Sequence, residues 1–210
     1  MTNNEADIDK FVLNFFGGYP GNFLDVGSGH PEKGNHTFQL EKYGWSGLCV
    51  EPITKFNDQY KKTRPNSIVE NYGMVSLDYH DEFIKSYVMD DENLYNVSGI
   101  NVQNENDYIF WPVKTIDSLV RKHNIRTIDF FSLDVEGYEH EVLHGIDFNY
   151  LRFGLIVIEI HNYSWNNRTN DFSYLKEHGY SYLQLLTEKH EVWFNNNLPI
   201  LRRPTYKSNL

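Results

Sequence analysis

Asp25-Val26-Gly27-Ser28-Gly29-His30 follows directly on Phe23-Leu24, and its reading decides how the rest of the chain is read. An apolar run that ends in paired glycines reads as a strand that turns sharply at its end. Glycine permits that turn and lets a ligand approach the backbone. The next apolar run, Gly47-Leu48-Cys49-Val50-Glu51, is closed by Pro52 and ends in an acid 22 residues after Gly29. An acid at the end of a second parallel strand can accept hydrogen bonds from both hydroxyls of a ribose. Loop and acid together point to an adenosine-bearing cofactor at the ends of the first two strands; either alone is a weak sign.

Outward from this pair, short apolar runs alternate with helical patterns. Residues 6–17 form a lead-in helix, with Ile8, Phe11, Val12, Phe15 and Phe16 at helical spacing. Helical patterns are expected at 35–43, 53–62, 117–123 (capped by Asp117 or Thr115), 138–145 and 171–178, the last stopped by Gly179. Further strands are expected at Ser67–Asn71, Ile128–Asp134 and Leu155–Ile160, the last apolar enough for a sheet centre covered on both faces. Tyr182–Leu186 and Glu191–Phe194 read as a closing antiparallel pair. The alternation predicts a doubly wound α/β fold with a mostly parallel sheet, as one domain over residues 1–210. The polar stretch 76–112 breaks the rhythm and reads as an insertion with short strands or mobile loops, as in a lid.

The glycine loop also separates one adenosine cofactor from another. A dinucleotide fingerprint G-x-G-x-x-G requires a third glycine at position 32, which is Glu32. An acid there faces a pyrophosphate unfavourably, so a phosphate-free cofactor, S-adenosylmethionine, suits the loop better than NAD. There is no G-x-x-x-x-G-K-[ST] to bind a nucleoside triphosphate. Asp25, just before the first glycine, is placed to organise the loop or to accept from the cofactor's amino group.

Several stretches, in order over roughly residues 20–165, resemble the FkbM family of methyltransferases. They are Asp25-Val-Gly-Ser-Gly-His-Pro, Asn35-His-Thr37, Lys42-Tyr-Gly-Trp-Ser-Gly47, Val50-Glu51-Pro52, Ile128 to Glu139, and Val142-Leu143-His-Gly145. The most specific is Asp134-Val-Glu136-Gly137-Tyr-Glu139. The resemblance implies a class I, Rossmann-like methyltransferase sheet of seven strands, six parallel and one antiparallel. It implies S-adenosylmethionine as cofactor and O-methylation of a sugar, glycoconjugate or other small molecule. Carried over residue by residue, Gly27, Ser28 and Gly29 would contact the amino-acid part of the cofactor and Glu51, with Pro52 beside it, the ribose. Asn35 and Thr37 would face the same pocket, and Asp134 would lie near the sulfur. Where this chain has Ser28-Gly29, the family often has Ala-Asn.

Methyl transfer to a hydroxyl needs alignment and a base. The candidates sit at the ends of the central strands: Asp134, Glu136, Glu159 and His161. Glu159 and His161 are two apart and share a face of an extended strand. His161 is the preferred base because its ordinary pKa lies near neutrality. Glu136-Gly137 also reads as the turn into the next helix. Asp134, Glu159 and His161 offer ligands to a divalent metal, but no ligand motif of fixed spacing is present, and a metal is not predicted.

A net charge of −10 without a basic block argues against a nucleic-acid partner. The single Cys49, in an apolar run, reads as a buried thiol. No apolar run is long enough to span a bilayer and the first residues are polar and acidic, so the cytoplasm is the expected compartment. Two rival readings remain: an NAD-binding oxidoreductase, and a cofactor-binding module without catalysis.

Overall fold

The computed structural model describes residues 5–87, 108–160 and 173–197. Helix α1 (Glu5–Phe15) leads into strand β1 (Asn22–Val26), helix α2 (Phe38–Lys42), strand β2 (Ser46–Val50), a short 3-10 turn (Thr54–Phe56), helix α3 (Asn57–Thr63) and strand β3 (Ser67–Glu70). Three strands of a small second sheet follow: β4 (Gly73–Met74), β5 (Phe83–Tyr87) and β6 (Tyr108–Lys114). The chain returns through α4 (Ile116–Lys122), β7 (Thr127–Leu133), α5 (Glu139–Leu143), β8 (Arg152–Glu159), β9 (Tyr180–Leu185) and β10 (His190–Asn195). Residues 173–177 are helical as well. Thr115 caps α4, its hydroxyl accepting from the Ser118 N–H at 3.1 Å.

The main sheet has seven strands in the order β3-β2-β1-β7-β8-β10-β9. The first five run parallel, and β10 runs antiparallel to both neighbours. The order reverses between β1 and β7, so the carboxyl ends of β1, β2 and β7 open a crevice there. Alternate residues of each strand feed two cores. Ile8, Phe11, Val12, Phe15 and Phe16 of α1 and its end pack with Trp45, Phe23, Cys49 and Phe130 on one face. Leu24, Leu48, Phe131, Ile156 and the apolar residues of α4 and α5 fill the other. Every residue of β8 after Arg152 is buried, as a strand covered on both faces requires.

Within the stretch 76–112, short strands are present where it is described, at β5 and in β6, after a turn over residues 76–82. β5 and β6 pair antiparallel, and β4 adds to β6 in parallel. Phe83, Ile109 and Phe110 are exposed. Their pairing partners lie far apart in sequence, so local pattern carried little of this signal. Among the described residues no helix is long and apolar enough to cross a membrane.

Beneath the β1 loop lies a buried charge network. The Arg64 guanidinium, 1% exposed, donates to Glu41 (3.0 Å), the Pro31 carbonyl (3.2 Å), Asn35 (2.9 Å) and the Thr37 hydroxyl (2.8 Å). The Ser67 hydroxyl also bonds to Glu41. A buried pair loses far more when one partner is removed than it gains on forming. Arg64→Ala should therefore cost about 3–5 kcal/mol in urea denaturation, because Glu41 is left as an uncompensated buried charge. A loss under about 1 kcal/mol, the range of an exposed pair, would contradict the account.

Candidate active site

The strand ends around the crevice line a cavity of about 650 Å³. That volume is in the range of small-molecule sites. Gly27, Gly29, Glu51 and Pro52 line it from the first two strands, and Asp134, Glu136 and Glu159 from β7 and β8. Ile84, Lys85, Ser86 and Trp111 of the small sheet form another part of the wall, with Tyr72 and Tyr138.

Asp25, Ser28, Asn35 and Thr37 are not part of that lining. They stand behind the loop. The Asp25 carboxylate, 3% exposed, accepts from the Thr37 hydroxyl (2.7 Å) and the Asn35 amide (3.3 Å). The same amide donates to the Ser28 carbonyl at 2.8 Å, and the Tyr60 hydroxyl donates to Ser28 Oγ at 2.8 Å. Asp25 thus organises the loop, and burial pushes its carboxyl upward despite these donors. Arg64 and Tyr60 were not singled out from sequence. They act from a helix and its end more than 30 residues downstream of the loop, and only the fold brings them under it.

The loop's own N–H groups are committed inside the protein. Gly27 and Ser28 both donate to the Val50 carbonyl (3.0 and 3.2 Å), and Gly29 donates to Glu51 Oε2 (2.8 Å). What the loop offers the cavity is shape. The two glycines differ here. At Gly27 (φ +80°) a Cβ would stand 1.6 Å from the Asp134 carbonyl oxygen, so that residue is bare because β7 passes against it. At Gly29 (φ +54°) a Cβ would meet nothing nearer than 4.0 Å and would point into open space at the cavity wall. Helix α2 starts only at Phe38, well beyond the loop, so no helix N-terminus is aimed at a pyrophosphate. These features fit a cofactor without phosphates.

Glu51, 6% exposed, accepts from Gly29 N–H on Oε2 and from Ile53 N–H on Oε1 (2.9 Å). Burial nevertheless pushes its carboxyl up to about 7. Each oxygen keeps a further acceptor position, which two ribose hydroxyls would use. His30 lines the same region. Its Nδ1 accepts from the Glu32 and Lys33 N–H groups (3.0 and 3.1 Å), and its ring meets Phe56 edge-on.

At the β7–β8 end, ionisable groups crowd together. Burial and the neighbouring Glu159 push the Asp134 carboxyl well above the usual range, and the two carboxyls are within hydrogen-bonding reach. Lys189 Nζ lies 3.6 Å from Glu159 Oε1. The turn after β7 is tied by Glu139, whose Oε1 accepts from the Val135 and Gly137 N–H groups (3.0 and 3.1 Å). Glu136 instead takes a left-handed backbone (φ 55°) and lines the cavity. The turn read at Glu136-Gly137 is there, with both residues at positive φ, and the side chain that ties it is that of Glu139.

His161 lies outside the described residues. The imidazoles found beside Glu159 are His36 and His190, neither foreseen. His190 sits opposite Glu159 in the β8–β10 register. His36 lies between Asn35 and Thr37; as those two turn inward to Asp25, the middle residue faces β7, where its Nδ1 meets Ser132 Oγ at 2.9 Å. Burial, with His190 adding to it, lowers His36 to about 3, so its ring is neutral. His36, Asp134 and His190 offer ligand atoms all within 4.8 Å of one another, as do Asp134, Glu139 and Glu159.

The strand order, the glycine turn and the acid of β2 define a class I S-adenosylmethionine-dependent methyltransferase. A family model described as the methyltransferase FkbM domain matches residues 25–182, and the chain belongs to that family. No curated relative matches the chain. It is similar to a solved TehB-like methyltransferase from Corynebacterium glutamicum, at 15% identity, 93% of this chain and 89% of that one covered, and a TM-score of 0.47. It is also similar to the 1,6-didemethyltoxoflavin-N1-methyltransferase of Burkholderia thailandensis, solved with S-adenosylhomocysteine, at 8% identity, 91% and 76% covered, and a TM-score of 0.47.

The two glycines yield a paired test. Gly27→Ala should lower the melting temperature of the ligand-free protein sharply, since β1 and β7 must separate. Gly29→Ala should cost the fold only about 1–2 kcal/mol for its left-handed backbone and weaken S-adenosylhomocysteine binding in calorimetry. The reverse pattern would contradict this assignment.

Proposed function

We propose that the chain transfers a methyl group to a hydroxyl of a small acceptor, a saccharide or other hydroxylated metabolite. The observation that carries the reading is the Asp134–Glu159 carboxyl pair on the same cavity as Glu51. From β2 to β8 is three strand spacings of about 4.8 Å, roughly 14 Å in all, which leaves room for a cofactor and an acceptor side by side. S-adenosylmethionine supplies a methyl group already activated on a positively charged sulfur. In the proposed reading Glu51 holds the ribose, the Gly27–Gly29 turn shapes the seat of the amino-acid part, and Asp134 borders the sulfur. The Glu159 carboxylate takes the acceptor's hydroxyl proton as the oxygen–methyl bond forms and the methyl–sulfur bond breaks toward sulfur. Trp111, Tyr72 and Tyr138 on the walls offer flat apolar faces to a sugar ring, and the carboxylates offer acceptors to its hydroxyls.

A base matters most for a hydroxyl, which is a weak acid, and least for an amine that is already nucleophilic. That favours oxygen as the methylated atom. Incubation with methyl-labelled cofactor and a panel of glycosides and sugar nucleotides should yield label that survives alkali, as an ether does. Label released by alkali as an ester, or found on nitrogen, would contradict the reading. Glu159→Gln should slow transfer about 100-fold or more while leaving S-adenosylhomocysteine affinity within a few-fold.

The Glu51 environment adds a pH dependence. With its carboxyl raised from 4.5 to about 7, the ligand-free fold gives up stability as pH climbs through that window and the buried group ionises. Ribose hydroxyls favour the ionised form, so binding releases a proton and tightens as pH rises. S-adenosylhomocysteine should raise the melting temperature more at about pH 8 than at about pH 6, and Glu51→Gln should shrink both the shift and its pH dependence. Equal shifts in wild type and variant would contradict a ribose contact at Glu51.

A further inference from the structure

We propose that His36, Asp134 and His190 bind a divalent first-row transition-metal ion, such as zinc or manganese, at the β7–β10 end of the cavity. Their ligand atoms already lie within 4.8 Å of one another. Ligands at roughly 2.0–2.2 Å from a common ion stand about 3–4 Å apart, so small side-chain rotations close the set. The three residues come from the segment before α2, the end of β7 and the start of β10. Sheet register fixes two of them, because His190 pairs with Glu159 and Ser132, two residues before Asp134, pairs with Asp25.

The second observation concerns the far nitrogen of each ring. His36 Nδ1 is held by Ser132 Oγ at 2.9 Å, and His190 Nδ1 by Thr187 Oγ1 at 2.7 Å. Metal-binding histidines characteristically have their second nitrogen fixed by an outer partner, which sets tautomer and ring direction. Here both rings are fixed in this way, and Nε2 is the atom each would offer. The rings cross nearly at right angles (84°) with centroids 5.0 Å apart, so they converge without stacking.

Donor chemistry selects the ion. Two imidazole nitrogens with a carboxylate suit zinc, iron, cobalt or manganese better than magnesium or calcium, which prefer all-oxygen sets. The alternative group of Asp134, Glu139 and Glu159 is all-carboxylate, and Glu139 Oε1 there already accepts from two N–H groups of the turn after β7. Glu159 shares the Asp134 end of the set, and an ion held by the three residues would supply a Lewis acid to an acceptor oxygen beside that carboxylate. That use of the ion rests on the methyltransferase reading; the existence of the site does not.

The test uses the full chain stripped with a chelator, then titrated with cobalt(II) followed by visible absorption and with zinc(II) by calorimetry. One equivalent should bind with the visible bands of nitrogen–oxygen coordination. His36→Gln and His190→Gln should each weaken it roughly 100-fold, and Ser132→Ala and Thr187→Ala roughly 10-fold. His140→Gln should change nothing. It belongs to a separate row in which His140 and His144 lie 4.3 Å apart, and it reports adventitious imidazole binding. Should a histidine variant fail to fold, the two hydroxyl variants decide. Absence of stoichiometric binding, or binding that survives every cavity variant, would overturn the proposal. S-adenosylhomocysteine affinity measured on the same samples separates failure of the metal site from failure of the cofactor site.

Discussion

Gly27 carries no side chain because the Asp134 carbonyl oxygen occupies the place where one would be. On either side of that contact the two chains are bonded: Asp134 N–H donates to the Val26 carbonyl at 3.0 Å, and Gly27 N–H to the Val50 carbonyl at 3.0 Å. The ends of β2, β1 and β7 are thus latched together where the sheet order reverses. Much of the site is positioned by this latch. It brings the loop that shapes one side of the cavity against the residue that opens the other. It also delivers Glu51, one residue beyond Val50, directly beneath Gly29.

The latch alone leaves a loop of eleven residues between β1 and α2 to be held. The buried Arg64 network does that, with Asp25, Asn35 and Thr37 as its inner members. Charge is buried here where an apolar plug could have stood, and the consequence is directional: each donor has a defined acceptor, so the loop has one conformation. The N–H groups of Gly27, Ser28 and Gly29 are bonded within the protein in that conformation, which suits a cofactor that has no phosphate to bind.

The fold was legible where local pattern and tertiary role agree. β1 and β2 end in a turn and an acid, β8 is apolar from Phe153 to Ile158, and Thr115 caps α4 as its residue type allows. Glu51, Asp134 and Glu159 were legible because strand ends in an open α/β sheet face the crevice. The bounds and pairing of the small sheet's strands escaped because Gly73 and Val113, or Phe83 and Pro112, pair across long separations. His36 and His190 escaped for the same reason: 154 residues separate them, and their rings come together only through the β8–β10 register. Asn35 and Thr37 were expected to face the cofactor pocket; their side chains bond to Asp25 behind the loop, an arrangement set by tertiary contacts.

The central claim is that the turn latched by Gly27 and the Glu51 carboxylate together seat a phosphate-free adenosine. A crystal structure with S-adenosylhomocysteine tests it most directly. The account predicts both ribose hydroxyls on Glu51, the amino-acid part over Gly29, and the sulfur toward Asp134. An adenosine bound away from Glu51, or a sulfur directed away from the β7 end, would contradict it.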